Sequence, residues 1–135
     1  MGVSQWQERY LAKAEESLTG AQSELASRRY NNTTNRCYYA CFQAAVSALI
    51  AVGIRPTSPT GDWSHRAIQA QFTGQLINRR KLYSSDLGDV LTRLFTLRQT
   101  ADYDDIDVSE IQASRALRRA REFVLAVRRA TEANR

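Results

Sequence analysis

Residues 33–52, TTNRCYYACFQAAVSALIAV, are the most apolar part of the chain, and their spacing decides the fold. Tyr38, Cys41, Ala45, Ala48 and Val52 recur every three or four residues as one stripe, which Phe42, Val46, Leu49 and Ile50 widen. That period belongs to a helix, and so broad an apolar surface belongs to a helix covered on several sides. Ala40, Ala44, Ala45, Ser47 and Ala48 are small enough to let neighbouring helices approach closely. The segment therefore reads as the central helix of a bundle, with Asn31, Asn32, Thr33 and Thr34 as candidate caps. Arg36, Tyr39, Gln43 and Ser47 form a polar stripe of their own. It reads either as a solvent face or dimer seam, or as a polar wall facing Arg98.

Working outward, Ser4 to Ser27 has Trp6, Leu11, Ala14, Leu18, Ala21 and Leu25 at helical spacing, a scaffold helix. Gly53 to Asp62 holds Pro56, Pro59 and two glycines and reads as a loop. Asp62 or Ser64 can cap a short helix in which His65, Ile68, Phe72 and Leu76 share a face. Asn78 to Lys81 is a basic turn. Ser84 to Ala101 is the next helix, with Leu87, Val90, Leu91, Leu94 and Phe95 on its apolar side. Asp104 to Asp107 breaks it, and Asp107 with Glu110 suits a capping box for a last helix. In that helix Leu117, Ala120, Phe123, Val124 and Val127 face inward, opposite Arg115, Arg118, Arg119 and Arg129. The expected fold is all-α: an antiparallel four-helix up-down bundle with one additional short helix, a single domain over residues 1–135.

A chain of 135 residues with 43% hydrophobic side chains can build its own core without staples. Ala44 to Val52, the richest apolar run, is too short to span a membrane, and Met1 to Arg9 has no secretory apolar region. A cytoplasmic protein with free, buried Cys37 and Cys41 is expected. The net charge is +5, and residues 108–135, with seven Arg and three Glu, carry +4 of it. A basic last helix can track phosphates, but the plainer reading is a solvated arginine face.

Several chemistries are excluded by residue type. Two cysteines and one distant histidine do not make a zinc set. The run Asp102, Asp104, Asp105, Asp107 lacks the central glycine and the closing Glu of a calcium loop. No glycine-rich phosphate loop exists. No metal or cofactor is called for. His65, the single histidine, opens an apolar face and reads as a packed structural residue, with a catalytic role as the alternative.

One feature of the helix over 84–101 stands out. The face of Leu87, Leu91 and Leu94 continues into Arg98 and Asp102, so an apolar stripe ends in a cation and an anion four residues apart. Burying such charges is costly unless they are paired or used. An inward guanidinium near a helix end can hold a phosphate or stabilise a phosphorane.

The segment Arg36-Cys37-Tyr38-Tyr39-Ala40-Cys41-Phe42-Gln43-Ala44 resembles the R-x-Y-Y-A-x-F-x-A signature of HEPN-domain proteins. His65 after a Pro/Thr loop, Leu97-Arg98-x-x-Ala101-Asp102-Tyr103 and a charged final helix recur in the same order. The resemblance covers roughly residues 8–130, closest to small stand-alone HEPN proteins. It implies an all-α bundle that dimerises. Many relatives are ribonucleases, often toxins paired with a minimal nucleotidyltransferase antitoxin, and they use an R-x(4-6)-H motif facing its copy across the dimer. The motif's Arg maps to Arg98, and Tyr103 stands where its His would be. Tyr103 can donate a proton, but a phenol with an ordinary pKa near about 10 is a poor base at neutral pH.

The expectation is thus a homodimeric, toxin-like HEPN protein binding RNA or nucleotide at a cleft on Arg98, Arg36 and Tyr39. Metal-independent endoribonuclease chemistry through Arg98, Asp102 and Tyr103 is its further reading. The alternative is a non-catalytic partner-binding module for a nucleotidyltransferase. On a continuous helix Asp102 sits beside Arg98 while Tyr103 points away, so Tyr103 joins the site only if the helix ends near Ala101.

Overall fold

The computed structural model describes residues 2–55, 64–103 and 107–133. All regular structure among them is helical: α1 (Val3–Ala26), α2 (Tyr30–Ala51), α3 (His65–Gln71), α4 (Ser85–Tyr103) and α5 (Glu110–Ala133). Residues Phe72–Arg79 carry α3 onward as π-helical turns, so the expected short helix is longer and wider than a plain α-helix. The loop expected over Gly53–Asp62 and the break at Asp104–Asp107 fall largely outside the described residues.

Four long helices make the bundle, and α2 is its centre, packed against α1, α4 and α5. Cross-helix contacts give the directions. Ser47 Oγ donates to the Gln7 carbonyl at 2.7 Å, and Asn35 of α2 reaches Asp102 of α4, so α2 runs antiparallel to both partners. Gln7 of α1 donates to Thr131 of α5 at 2.9 Å, and Arg128 is ion-paired to Glu8 and Glu15, which sets α1 antiparallel to α5. Ala40, Ala44, Ala45, Ser47 and Ala48 are all buried, as the close approach of three neighbours requires. Leu11, Ala14, Ala21, Phe123, Val124 and Val127 close around them, and Phe72 stacks on Phe123 with centroids 5.1 Å apart.

The helix ends differ from expectation in instructive ways. Helix α2 starts at Tyr30. Thr33 and Thr34 are therefore inside it, and their buried hydroxyls donate back to the Arg29 and Tyr30 carbonyls at 2.9 and 3.0 Å. The capping box of α5 is Ser109 with Gln112, not Asp107 with Glu110: Gln112 N–H donates to Ser109 Oγ, and Ser109 N–H to Gln112 Oε1. Asp107 is taken by Asn31, whose amide donates to its carboxylate at 3.1 Å while its carbonyl accepts from Val108 N–H at 2.9 Å. That pair of bonds pins the start of α5 to the start of α2. Ser64 caps α3 by accepting from Ala67 N–H at 3.1 Å.

Among the described residues α1, α2 and the π-helical turns each end in a left-handed residue, the last at Lys81, φ 53°. Gly53, at φ 81°, closes α2 with Ile54 N–H bonded to the Leu49 carbonyl and Gly53 N–H to the Ile50 carbonyl. The same pair of bonds ends α1, but the left-handed residue there is Arg28, at φ 61°. No helix among the described residues is long and apolar enough to cross a membrane.

Candidate functional site

The apolar stripe of α4 keeps its inward direction to the end. Leu91 and Leu94 are buried, Leu87 packs against the core, and Arg98 follows them inside, with only 16% of its side chain exposed. Its guanidinium lies over two rings of α2, 5.5 Å from the Tyr38 centroid and 5.3 Å from that of Tyr39. Cation–π attraction and the weak hydration of a guanidinium make this position tolerable for a charge.

Asp102 is its counter-ion. Oδ2 lies 3.3 Å from Arg98 Nε, and the amide of Asn35 approaches the same oxygen at 3.4 Å. The Arg98–Asp102 contact is close enough for an ion pair, but its geometry is not that of a hydrogen bond. Nε is therefore buried with no hydrogen-bond partner. A guanidinium has five N–H donors, and no described residue accepts from any of them. The arrangement is under-satisfied: a buried donor lacks an acceptor among the described residues.

The residue least expected at this place is His65. As the first residue of α3 it packs on Tyr38, Phe42 and Phe95 with ring centroids 5.3, 5.1 and 5.6 Å away, and on Tyr39 at 6.4 Å. Its Nδ1 is hydrogen-bonded to the Tyr38 hydroxyl. Burial lowers its pKa below the usual histidine value, and the positive charge of Arg98 lowers it further, so the imidazole is neutral near pH 7. Tyr38 is itself buried, which raises its pKa and keeps the phenol protonated, although Arg98 pulls the other way.

The other expected site residues are placed as follows. Asp102 and Tyr39 join Arg98. Helix α4 continues through Tyr103, which puts that side chain about 140° around the axis from Arg98. It is 77% exposed. Arg36 turns toward α1, its stem against Gly20. Gln43 and Ser47 face α1 as well: the Gln43 amide and Ser17 Oγ are 2.7 Å apart, and Ser47 bonds Gln7. The polar stripe of α2 is thus a seam with α1, and only Tyr39 from it reaches Arg98. It is polar because α1 offers acceptors and hydroxyls along that line.

Cys37 and Cys41 are free and buried. Burial pushes the Cys37 thiol up to about 12, against a smaller opposite pull from Arg121, and raises Cys41 as well. Neither is a nucleophile at neutral pH. Among the described residues no group of three or more His, Cys, Asp or Glu could hold a metal ion. A surface hollow at the α1–α2 turn, lined by residues 28–32 with Asp107 and Val108, contains none of the Arg98 cluster.

Asn35, Tyr38, Phe95 and His65 are the members that sequence reasoning did not assign to the site. Tyr38 carried a signal: a tyrosine on a fully buried stripe needs a partner for its hydroxyl, and the single histidine is one of few residues able to supply it.

Comparison with known proteins agrees with this architecture. The HEPN domain family matches residues 7–130. The chain is 27% identical over 121 residues to the "UPF0332 protein" of Thermotoga maritima, covering 89% of this chain and 86% of that one. It is 26% identical over 118 residues to "Putative toxin MJ0142" of Methanocaldococcus jannaschii, covering 87% of this chain and 76% of that protein. A second protein of the same organism, "Putative toxin MJ0605", is 26% identical over 118 residues, covering 87% and 82%. The family match spans nearly the whole chain and takes in every helix that builds the Arg98 site: the chain belongs to the HEPN domain family.

Proposed function

We propose that this chain is a toxin-like HEPN protein of a toxin–antitoxin system that binds RNA or a nucleotide through a phosphate held at Arg98. The observation that carries the reading is the state of that guanidinium: mostly buried, lying over Tyr38 and Tyr39, and with its buried Nε unbonded among the described residues. A phosphate oxygen is the acceptor such a fork suits best, and the half-buried Tyr39 ring beside it suits a base or ribose. Two relatives bearing toxin names, each similar over most of its length, support the biological setting. A homodimer with the two Arg98 sites near its axis and a cognate nucleotidyltransferase as antitoxin complete the proposal.

The test is expression of wild type and Arg98→Ala alone in a bacterial host, with growth and cellular RNA integrity scored together. Binding of a short RNA oligonucleotide to the purified proteins is measured alongside. Wild type slows growth and binds RNA; Arg98→Ala does neither. Equal RNA binding by both proteins would end the reading.

A second reading rests on Asp102. Because Arg98 already has a carboxylate at 3.3 Å, the pair can serve as a structural element of a non-catalytic module that binds a nucleotidyltransferase partner. In that case neither protein binds RNA, and Arg98→Ala weakens the partner complex instead.

A further inference from the structure

Cations lie over aromatic rings at two places among the described residues. One is Arg98 over Tyr38 and Tyr39. The other is the first half of α1, where the Arg9 guanidinium is 5.8 Å from the Trp6 centroid and the Lys13 ammonium 5.3 Å from that of Tyr10. The Trp6 and Tyr10 rings are themselves neighbours, with centroids 6.4 Å apart. Trp6, Tyr10 and Lys13 share a face with Ser17, which meets Gln43 of α2, so this face borders the α1–α2 seam. The Gln43 amide nitrogen, oriented to satisfy its neighbours, donates to the carbonyls of Lys13 at 3.0 Å and of Tyr39 at 3.2 Å. The order along the seam is therefore Arg98 with Tyr39, then Lys13 with Tyr10, then Arg9 with Trp6.

The fold does not account for the α1 part of this line. Leu11, Ala14 and Ala21 fill the inner face of α1, while Trp6 is 42% exposed. Arg9 and Lys13 are exposed and have no ion pair among the described residues. The acidic side chains of α1 leave them free: Glu8 and Glu15 hold Arg128 of α5, and Glu24 lies near Arg29. Glu16 is exposed and pairs with neither cation among the described residues. An exposed aromatic pair flanked by uncompensated positive charge matches a polyanion that carries flat rings.

We propose that the face of α1 from Trp6 to Lys13 is a stacking platform for single-stranded RNA. It rests on the reading that Arg98 binds phosphate, and it gives the direction in which the strand runs from there. Bases stack on Tyr10 and Trp6, and Lys13 and Arg9 meet the phosphates between them. Exposed cation–π contacts are weak, so a base takes a ring face from its cation at small cost. The base pairs of a duplex hide those faces, so the platform selects a single strand, and stacking on rings reads no sequence. At a rise of about 1.5 Å per residue, Trp6 lies about 16 Å along the seam from Ser17. Only a ligand of several nucleotides reaches both ends.

The experiment uses the full chain and two labelled ligands, a dinucleotide and a long unstructured oligouridylate. Wild type is expected to bind both, the long strand more tightly. Trp6→Ala should weaken the long strand by about tenfold and leave the dinucleotide unchanged, while Trp6→Phe keeps most of the affinity. Arg9→Gln with Lys13→Gln should lower the slope of log affinity against log salt by about 0.7 for each cation removed. Arg98→Ala should weaken both ligands. Urea midpoints close to that of wild type check that the α1 variants are folded. Long-strand affinity unchanged in Trp6→Ala, or a salt slope unchanged in the double variant, would overturn the platform. Loss of dinucleotide binding in Arg98→Ala would still leave the phosphate site standing. Sedimentation of Trp6→Ala as a smaller assembly than wild type, without RNA, would assign this face to a second copy and overturn the platform as well. Absent binding of the long strand to wild type, or binding of both ligands unchanged in Arg98→Ala, would overturn both readings.

Discussion

The Tyr38 hydroxyl of α2 is hydrogen-bonded to Nδ1 of His65, and the same phenol ring lies under the guanidinium of Arg98. One buried side chain thereby joins an imidazole from α3 to a cation from α4. Tyr38 is fully buried on the central helix, so its position is as fixed as any in the molecule. A constellation held by core packing rather than by loops is the arrangement that binding or catalysis of a defined geometry demands.

Because burial and Arg98 both depress the His65 pKa, the folded protein binds fewer protons than the unfolded chain just below the ordinary histidine pKa. Stability then rises with pH in that window. It is fully present above about pH 6.5 and falls as pH is lowered from there through the folded pKa. Urea denaturation of wild type between pH 5 and 8 should show this slope, and His65→Gln should show a shallower one.

On the proposed reading of the site, stability and ligand binding oppose each other at Arg98. Methionine keeps the stem's volume and removes a mostly buried cation whose Nε has no hydrogen bond among the described residues, while Asp102 retains solvent and the Asn35 amide. Arg98→Met is expected to raise stability by about 1 kcal/mol and to lose RNA binding altogether. A denaturation midpoint lower than that of wild type would mean that the Asp102 pair stabilises the fold.

Asp102 competes with any phosphate for the same guanidinium. Asp102→Asn keeps the side-chain shape and removes the negative charge, so RNA or nucleotide affinity should increase by about fivefold, roughly 1 kcal/mol. Titration of a labelled RNA oligonucleotide at two salt concentrations reads it, with the larger gain at low salt.

At the end of α1 an arginine occupies a left-handed position better suited to glycine. Arg28→Gly should stabilise the protein by about 1 kcal/mol. The expected observation is a higher urea midpoint with an unchanged slope. Gly53→Ala at the matching turn of α2 should do the reverse.

Much of this molecule was legible from residue spacing. The period of three to four residues across 33–52 identified α2, and its small residues marked it as central. The same spacing carried the stripe of Leu87, Leu91 and Leu94 into Arg98 and Asp102, which the folded chain does turn inward. Helix ends were less legible, because a cap is decided by which nearby side chain wins the free N–H groups. Asp107 had the right chemistry for α5, but Asn31 claimed it, and Ser109 took the role.

The polar stripe of α2 shows where spacing stops informing. Arg36, Tyr39, Gln43 and Ser47 share a face by arithmetic, but the neighbour facing them depends on how α2 is rotated in the bundle. That neighbour is α1 for all but Tyr39. His65 and Arg98 are the stronger case, since they lie on separate helices with no periodic relation between them. Sequence by itself determined the helices, their buried faces and the presence of an inward charge, because those follow from contacts within one helix. Only the tertiary structure brought the histidine to that charge. Contacts between helices depend on axial rotation and register, and here they bring His65 and Arg98 to the same residue, Tyr38.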